Sequence, residues 1–394
     1  MKKVNQHLLL LLALAVSINI SHAGQYEINT FLDIGAATQD GKGNYLQSIP
    51  DKIAFEYDSR YGINLRTELN ESITGAGQLL ATGRSGSFDF ELEWGFVEYN
   101  MSRSWRLRVG KLNLQTFLLS DYIEVGYLYP WIRPPEEVYG FNPMRNYPGI
   151  ELMHTAQLGK KTTLTSMFFV GSSKVQLSPA TSFRALNGYG INFQLNMPGV
   201  TLRIGGITPE IEVNQSAFLM QDESGTMMSI PGAQVAADNR MYMATFGFSW
   251  DVSDFVGYGE WINVSSEKEL QEIFPEQTGY YLTMGYKFDD FMPYVTKATA
   301  EADAFTGTVT QIGVMPMPAI AQDSIALGIR YEINEFSAFK FEYKKIDPEI
   351  SSILVDLGGG AMPIAPNAGF LFGNSMMAAD DDYTLISMSY DMIF

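Results

Sequence analysis

Short segments in which apolar and polar residues alternate recur through most of the chain. One of them places Ile63 and Leu65 on one face and Asn64 and Arg66 on the other. A period of two residues is typical of a β-strand, and two unlike faces indicate two different surroundings. Because this pattern extends through most of the chain, we expect an all-β fold.

Sixteen candidate strands can be counted, several of them close to the 9–11 residues that a tilted membrane-spanning strand requires. Seven short connections alternate with mostly longer ones, as expected for antiparallel strands with both chain ends on one side of a membrane. A soluble sandwich has no reason to collect its longer loops at one end. We therefore predict a transmembrane antiparallel β-barrel of 16 strands, with short periplasmic turns and long extracellular loops. The candidate strands cover residues 26–34, 63–70, 73–82, 88–96, 105–109, 150–157, 162–170, 188–196, 200–207, 240–250, 255–263, 278–288, 291–299, 323–333, 336–345 and 383–394.

Aromatic residues stand near the ends of many candidate strands, as in the aromatic girdles of membrane barrels. In the segment 88–96, the alternation predicts that Trp94 and Phe96 face lipid together with the apolar residues before them. The predicted girdle consists of Trp94, Trp105, Trp250, Trp261, Tyr280, Phe288 and Tyr390.

The N-terminus predicts export from the cytoplasm. Lys2 and Lys3 precede an apolar run, and Ala23 ends a small-residue cleavage site, so residues 1–23 are expected to be a cleaved signal peptide. Residues 24–394 would then form one barrel domain. The sequence has no cysteine, and a closed barrel needs no disulfide because its strands satisfy one another. A net charge of −18 argues against nucleic-acid binding.

The connection spanning residues 112–148 is long and rich in aromatic side chains. Structureless loops of this length are uncommon unless they have a function. On the outside, so many apolar side chains would form an exposed hydrophobic patch. We therefore expect this loop to fold into the barrel and to constrict it.

Two motifs resemble the Gram-negative general porin superfamily. The chain ends at Phe394 after apolar residues at alternate positions, and Pro135–Gly140 is similar to the Pro-Glu-aromatic-Gly turn at the tip of the third porin loop, although longer and doubly acidic. This resemblance implies an outer-membrane homotrimer surrounded by lipid and lipopolysaccharide, and recognition of Phe394 by the barrel-assembly machinery. It also implies an inward third loop whose acidic residues oppose a basic wall.

The candidate site residues follow from this implied constriction and from the polar phase of the strands. A transverse field across a narrow pore would orient polar solutes. The same charges also fit cross-strand ion pairs that stiffen the wall. On the loop, the candidates are Asp121, Glu124, Arg133, Glu136, Glu137 and Arg145. On the wall, they are Arg66, Glu91, Glu93, Arg106, Arg108, Arg330, Lys340 and Lys344.

The predicted function is passive diffusion of small hydrophilic solutes and ions through a water-filled pore. A phosphate-, anion- or oligosaccharide-selective channel of the same shape is an alternative, and a structural or adhesive barrel is another. We expect that the protein is not an enzyme. The one histidine after the signal peptide, His154, has no serine and carboxylate at a spacing that would indicate a catalytic site. Neither a cofactor nor a metal site is expected.

Overall fold

The alternating segments form strands in a computed structural model of the chain, which describes residues 26–40, 49–83, 88–141, 144–176, 181–216, 218–221, 227–230, 233–271, 276–302, 322–348, 353–356, 361–364 and 382–394. The predicted signal peptide, 1–23, lies outside the described residues. No helix within these ranges is long and apolar enough to cross a membrane.

The described strands are numbered in chain order. They are β1 (Tyr26–Gln39), β2 (Arg60–Asn70), β3 (Ile73–Thr82), β4 (Phe90–Asn100), β5 (Trp105–Asn113), β6 (Asn146–Gln157), β7 (Thr163–Gln176), β8 (Thr181–Met197), β9 (Val200–Gln215), β10 (Phe218–Gln221), β11 (Met227–Ile230), β12 (Ala233–Val252), β13 (Phe255–Ser266), β14 (Gln277–Tyr286), β15 (Phe291–Ala302), β16 (Gln322–Asn334), β17 (Ser337–Pro348), β18 (Ile353–Asp356), β19 (Ala361–Ile364) and β20 (Tyr383–Ile393). Short helical segments lie at Gly126–Leu128, Glu136–Tyr139 and Lys268–Gln271.

Sixteen of these strands close into one barrel in which every neighbouring pair is antiparallel. The first strand, β1, closes the barrel by pairing with the last, β20. The remaining four form two small hairpins, β10–β11 and β18–β19. The predicted 16-stranded antiparallel barrel is therefore confirmed. Several strands continue beyond the predicted segments on the side of the long connections, because the two neighbours keep pairing there; β12 reaches 20 residues.

The two faces of the barrel wall have opposite character. On β16, Ile325 and Leu327 are exposed, whereas the alternate residues Ser324 and Ala326 are buried. Large apolar residues that are exposed on alternate positions around the wall are typical of a barrel whose outside contacts lipid. The polar phase consequently points into the barrel.

A β-bulge in β4 changes which side chains face inward. Gln78 of β3 pairs with Trp94, but the adjacent Leu79 pairs with Leu92, so Glu93 is an extra residue in the ladder. One extra residue reverses the alternation of everything that follows it. The prediction that Trp94 and Phe96 face lipid therefore needs correction, because both lie on the inward phase.

Candidate pore and its internal segment

Residues 114–141 and 144–145, between β5 and β6, lie inside the barrel and are together called the inner segment. The Leu114 N–H donates to the Arg145 carbonyl at 2.8 Å, which closes the base of the segment. Its backbone and side chains form hydrogen bonds with inward side chains of ten strands, β1, β2, β9, β12, β13, β14, β15, β16, β17 and β20. A segment can contact so many strands around a closed wall only from within.

The inner segment brings its own hydrophobic core. Trp131 is almost fully buried against Tyr281 of β14, with the two rings edge to face at 5.5 Å. The Trp131 Nε1–H donates to the hydroxyls of Thr283 and Thr296, each at 3.0 Å. Phe117, with other apolar residues of the segment, belongs to the same buried cluster. The aromatic residues that made this connection conspicuous in the sequence therefore pack between the segment and the barrel wall.

The first polar anchor holds the short helix Glu136–Tyr139 to β17. Lys344 Nζ lies 2.6 Å from a Glu136 oxygen and 3.2 Å from a Glu137 oxygen. Burial alone would raise the pKa of Glu137. The Lys344 ammonium and hydrogen bonds from Ser324 and Gln322 outweigh burial and hold that pKa below its ordinary value. These charges meet directly, so the prediction that they face each other across open water needs correction.

The second polar anchor holds the middle of the segment to β16 and β17. Lys340 is fully buried and donates to the carbonyls of Gly126 and Trp131 at 2.6 and 2.8 Å, beside Asp391 at 2.8 Å. Arg330 donates to the Tyr129 carbonyl at 3.0 Å. The prediction that Lys340, Lys344 and Arg330 line the open pore therefore needs correction, because the segment covers all three.

Two further predicted loop residues are anchors as well. Arg133 is buried and donates to Asp58 at 3.1 Å and to the hydroxyl of Ser387 on β20. Glu124 is buried and accepts from Arg60 of β2 at 3.3 Å. The sequence reasoning missed Arg60 as a candidate, although it begins the polar phase of β2.

The wall formed by β2 to β6 keeps accessible charge. Arg66 is 45% exposed and Arg106 is partly exposed. Arg108 lies between Glu98 at 2.7 Å and Glu151 at 3.3 Å, and both of these carboxylates are buried.

Three other predicted site residues are exposed. Asp121 and Arg145 of the inner segment stay accessible, although Arg145 also binds Glu124. Glu91 is exposed on the inward phase of β4. Accessible charges of both signs therefore remain inside the barrel.

Glu93 does not belong to this inner wall. Its carboxylate accepts from the Asn146 side chain at 3.2 Å. Asn146 precedes Tyr147, which is buried inside the barrel, so the alternation places Asn146 on the outer phase of β6. The bulge thus directs the Glu93 side chain towards the outer surface, and the prediction that it lines the pore needs correction.

A closed 16-stranded barrel with an apolar outside, a polar inside and an internal segment has the architecture of porin-like transmembrane barrels. No family model matches the chain, and no curated protein matches its sequence. Solved structures match it over nearly its whole length. OmpT of Vibrio cholerae is 12% identical with a TM-score of 0.57, covering 96% of this chain and 100% of that one.

Two other matches are described as a porin and a channel. The anion-selective porin from Comamonas acidovorans is 11% identical with a TM-score of 0.58, covering 94% of this chain and 100% of its own. The outer membrane channel DcaP of Acinetobacter baumannii is 10% identical with a TM-score of 0.56, covering 95% and 99%. At such low identity these similarities establish the fold.

The prediction that the chain is not an enzyme was wrong, because the sequence provides no sufficient ground to exclude enzymes. The matching structures include three of OmpT from Vibrio cholerae, described only as an outer-membrane protein, beside those described as porins and channels. Proteins with this fold are thus described in different ways, and a shared fold does not determine which activity a protein has. The lack of a catalytic spacing of serine and carboxylate around His154 is not sufficient to exclude an enzyme.

Proposed function

We propose that the protein is an outer-membrane porin through which small hydrophilic solutes and ions diffuse. The observation that carries the proposal is the uneven attachment of the inner segment. Buried ion pairs join it to Arg60 of β2 and Lys344 of β17, and hydrogen bonds join it to β1 and β20. Arg66 and Arg106, farther along β2 and on β5, stay accessible. Water and solutes would pass between the wall that carries these two residues and the segment.

The accessible charges of this passage have both signs, which favours a pore of low ion selectivity. Arg66 and Arg106 are balanced by Asp121 and Glu91, and Arg108 is already paired with two carboxylates. A substrate-selective channel of the same architecture is the second candidate, favoured by the accessible Arg66 guanidinium on the inner wall.

Planar-bilayer recording tests the porin proposal. The purified protein should give ohmic conductance steps that scale with bulk salt, and a reversal potential near zero in a salt gradient. A well-folded protein, judged by its heat-modifiable mobility on gels, that passes no current would refute the proposal.

We further propose a homotrimer in which the outer face of β3 to β6 contacts the next copy. Lys111 pairs with Gly95 and Pro148 on the outer phase. It lies six residues beyond Trp105 on β5, about 15 Å deeper along the membrane normal for a strand tilted by about 40°. A lysine facing lipid at mid-depth costs about 2–4 kcal/mol, so a protein partner is the better environment. Gly77 and Gly95 on the same phase allow close approach.

We also propose contacts with membrane lipids and with the barrel-assembly machinery. The exposed apolar residues would contact outer-membrane lipid and lipopolysaccharide. Phe394 directly follows β20 with its side chain exposed, while its backbone forms hydrogen bonds with Thr30 of β1 at 2.7 and 2.9 Å. A Phe394→Ala variant should slow barrel assembly into liposomes by purified assembly machinery, and an unchanged rate would argue against recognition of this residue.

A further inference from the structure

The bulge in β4 gives the inner wall two aromatic side chains that a regular strand would have turned to lipid. Trp94 and Phe96 lie with their ring centroids 5.6 Å apart and their planes within 22° of parallel. The Arg108 guanidinium covers Phe96, with Cζ 4.7 Å from the ring centroid. Both rings are partly exposed, so they present aromatic surface to the inside of the barrel.

An accessible guanidinium lies in the same row as one of these rings. Arg66 of β2, Ala76 of β3 and Phe96 of β4 form one row across three strands, and all three face inward. The backbones of Arg66 and Phe96 are two strand spacings apart, about 10 Å, and the Arg66 side chain extends over the small Ala76 towards Glu98 of β4. We call the recess formed by Arg66, Ala76, Trp94 and Phe96 the aromatic shelf.

The charges around the shelf leave Arg66 available. Arg66 forms a long ion pair with Glu98, with Nη2 3.7 Å from the carboxylate oxygen and too far for a hydrogen bond, and its side chain stays 45% exposed. Glu98 instead accepts from Arg108 at 2.7 Å, and Arg108 also binds Glu151. A carboxylate entering the shelf can therefore form a charge-assisted pair with Arg66 without displacing Glu98 from Arg108.

We propose that the aromatic shelf binds small aromatic carboxylates, with the carboxylate on Arg66 and the ring against Trp94 and Phe96. The proposal deepens the porin proposal by naming a solute class for the same pore. Phosphate fits less well, because Arg108 is committed to two carboxylates and leaves Arg66 as the available guanidinium of the shelf. A ring lying over Ala76 would gain offset contact with the two aromatic planes, which an aliphatic acid cannot.

Equilibrium dialysis of the folded protein in detergent tests the shelf directly. The probes are benzoate, acetate, which lacks the ring, and benzyl alcohol, which lacks the charge. We expect benzoate to bind at least tenfold more tightly than either. Arg66→Gln should abolish the preference over benzyl alcohol, and Trp94→Leu should abolish most of the preference over acetate.

Two further variants distinguish a specific loss of binding from a general loss of folding. Ala76→Phe fills the floor of the shelf while Arg66 and Trp94 themselves are kept, and should reduce benzoate binding at least tenfold. Arg184→Gln is the matched control, because Arg184 is 44% exposed like Arg66 but lies on the outer phase of β8. Equal binding of benzoate and acetate by the unchanged protein would overturn the proposal. An equal loss in the Arg184 and Arg66 variants would overturn it too.

Bilayer recording then separates this proposal from the porin proposal. If the protein conducts, benzoate should reduce the current at concentrations at least tenfold below those of acetate, and this difference should disappear in Ala76→Phe. A conducting protein that dialysis shows to bind benzoate no better than acetate loses only the shelf. A protein that binds benzoate as expected but passes no current loses the porin proposal, and the shelf stands on the dialysis.

Discussion

Replacing Lys344 by methionine should release the helical end of the inner segment while leaving the barrel closed. Lys344 is 7% exposed, and its ammonium is shared by Glu136 and Glu137, the second of which is fully buried. Methionine has a similar shape but leaves the fully buried Glu137 without its cation, while Glu136 keeps Arg133 at 3.8 Å. Gln322, a neutral donor at 2.8 Å, would remain as a poor substitute.

The size of the effect follows from the burial of the pair. Removing one partner of a buried ion pair typically costs about 3–5 kcal/mol, because the other charge stays desolvated. That corresponds to roughly two to nearly four orders of magnitude in the equilibrium between docked and released segment ends. Trp131 and Lys340 anchor the middle of the segment independently, so the loss should remain local.

Limited proteolysis and bilayer noise measure this release. Chymotrypsin should cleave Lys344→Met near Tyr139 at least a hundredfold faster than the unchanged protein, and the open-channel current should become noisy. Combining Lys344→Met with Glu136→Gln and Glu137→Gln should restore much of the protection, because no uncompensated charge remains.

The adjacent residue provides a matched control for this experiment. Lys345 is half exposed on the other face of the strand and pairs with the exposed Asp382. A surface ion pair contributes about 0–1 kcal/mol, so Lys345→Met should change neither cleavage nor noise. If Lys344→Met were as resistant and as quiet as the unchanged protein, the buried anchor would not hold the segment.

Three further predictions concern the segment and the outer face. The lowered pKa of Glu137 means that its contribution to segment docking is present above the ordinary carboxyl range and is lost as pH falls below about 4.5; channel noise should rise in acid, and Glu137→Gln should remove that dependence. Trp131→Phe should lower unfolding stability by about 1 kcal/mol in urea titrations, because Thr283 and Thr296 still bond to each other at 2.7 Å; a loss above about 3 kcal/mol would contradict this. Lys111→Leu should weaken the trimer seen by native mass spectrometry, whereas a lipid-facing lysine would make the same variant about 2–4 kcal/mol more stable.

The strand count was predictable because a membrane barrel meets two solvents. Each strand must alternate to satisfy lipid on one side and water on the other, so the period of two survives in the sequence. The short turns were predictable for a related reason, since they must be polar and tight. Ser253 and Asp289, for example, adopt positive φ in two of these turns.

The phase of β4 was misread although the sequence carries a signal of the bulge. Apolar residues occupy the even positions from Phe88 to Phe96, but the order then reverses, with Val97 and Tyr99 apolar around Glu98. Such a reversal requires one unpaired residue, yet the sequence does not say where the extra residue sits. The structure places it at Glu93, before the two aromatic residues, and this turns them inward.

The partners of the inward-facing charged residues could not be predicted from the sequence, and the reason is geometric. Alternation assigns each charge to the inside or the outside, but it carries no information on which part of the circumference the inner segment covers. Lys340 and Arg66 look alike in the pattern, yet the segment buries the first and leaves the second accessible. The inward charges therefore fall into two groups with different consequences. Neutralising a covered charge such as Lys340 should alter segment stability, whereas neutralising Arg66 should alter solute preference while the segment remains docked.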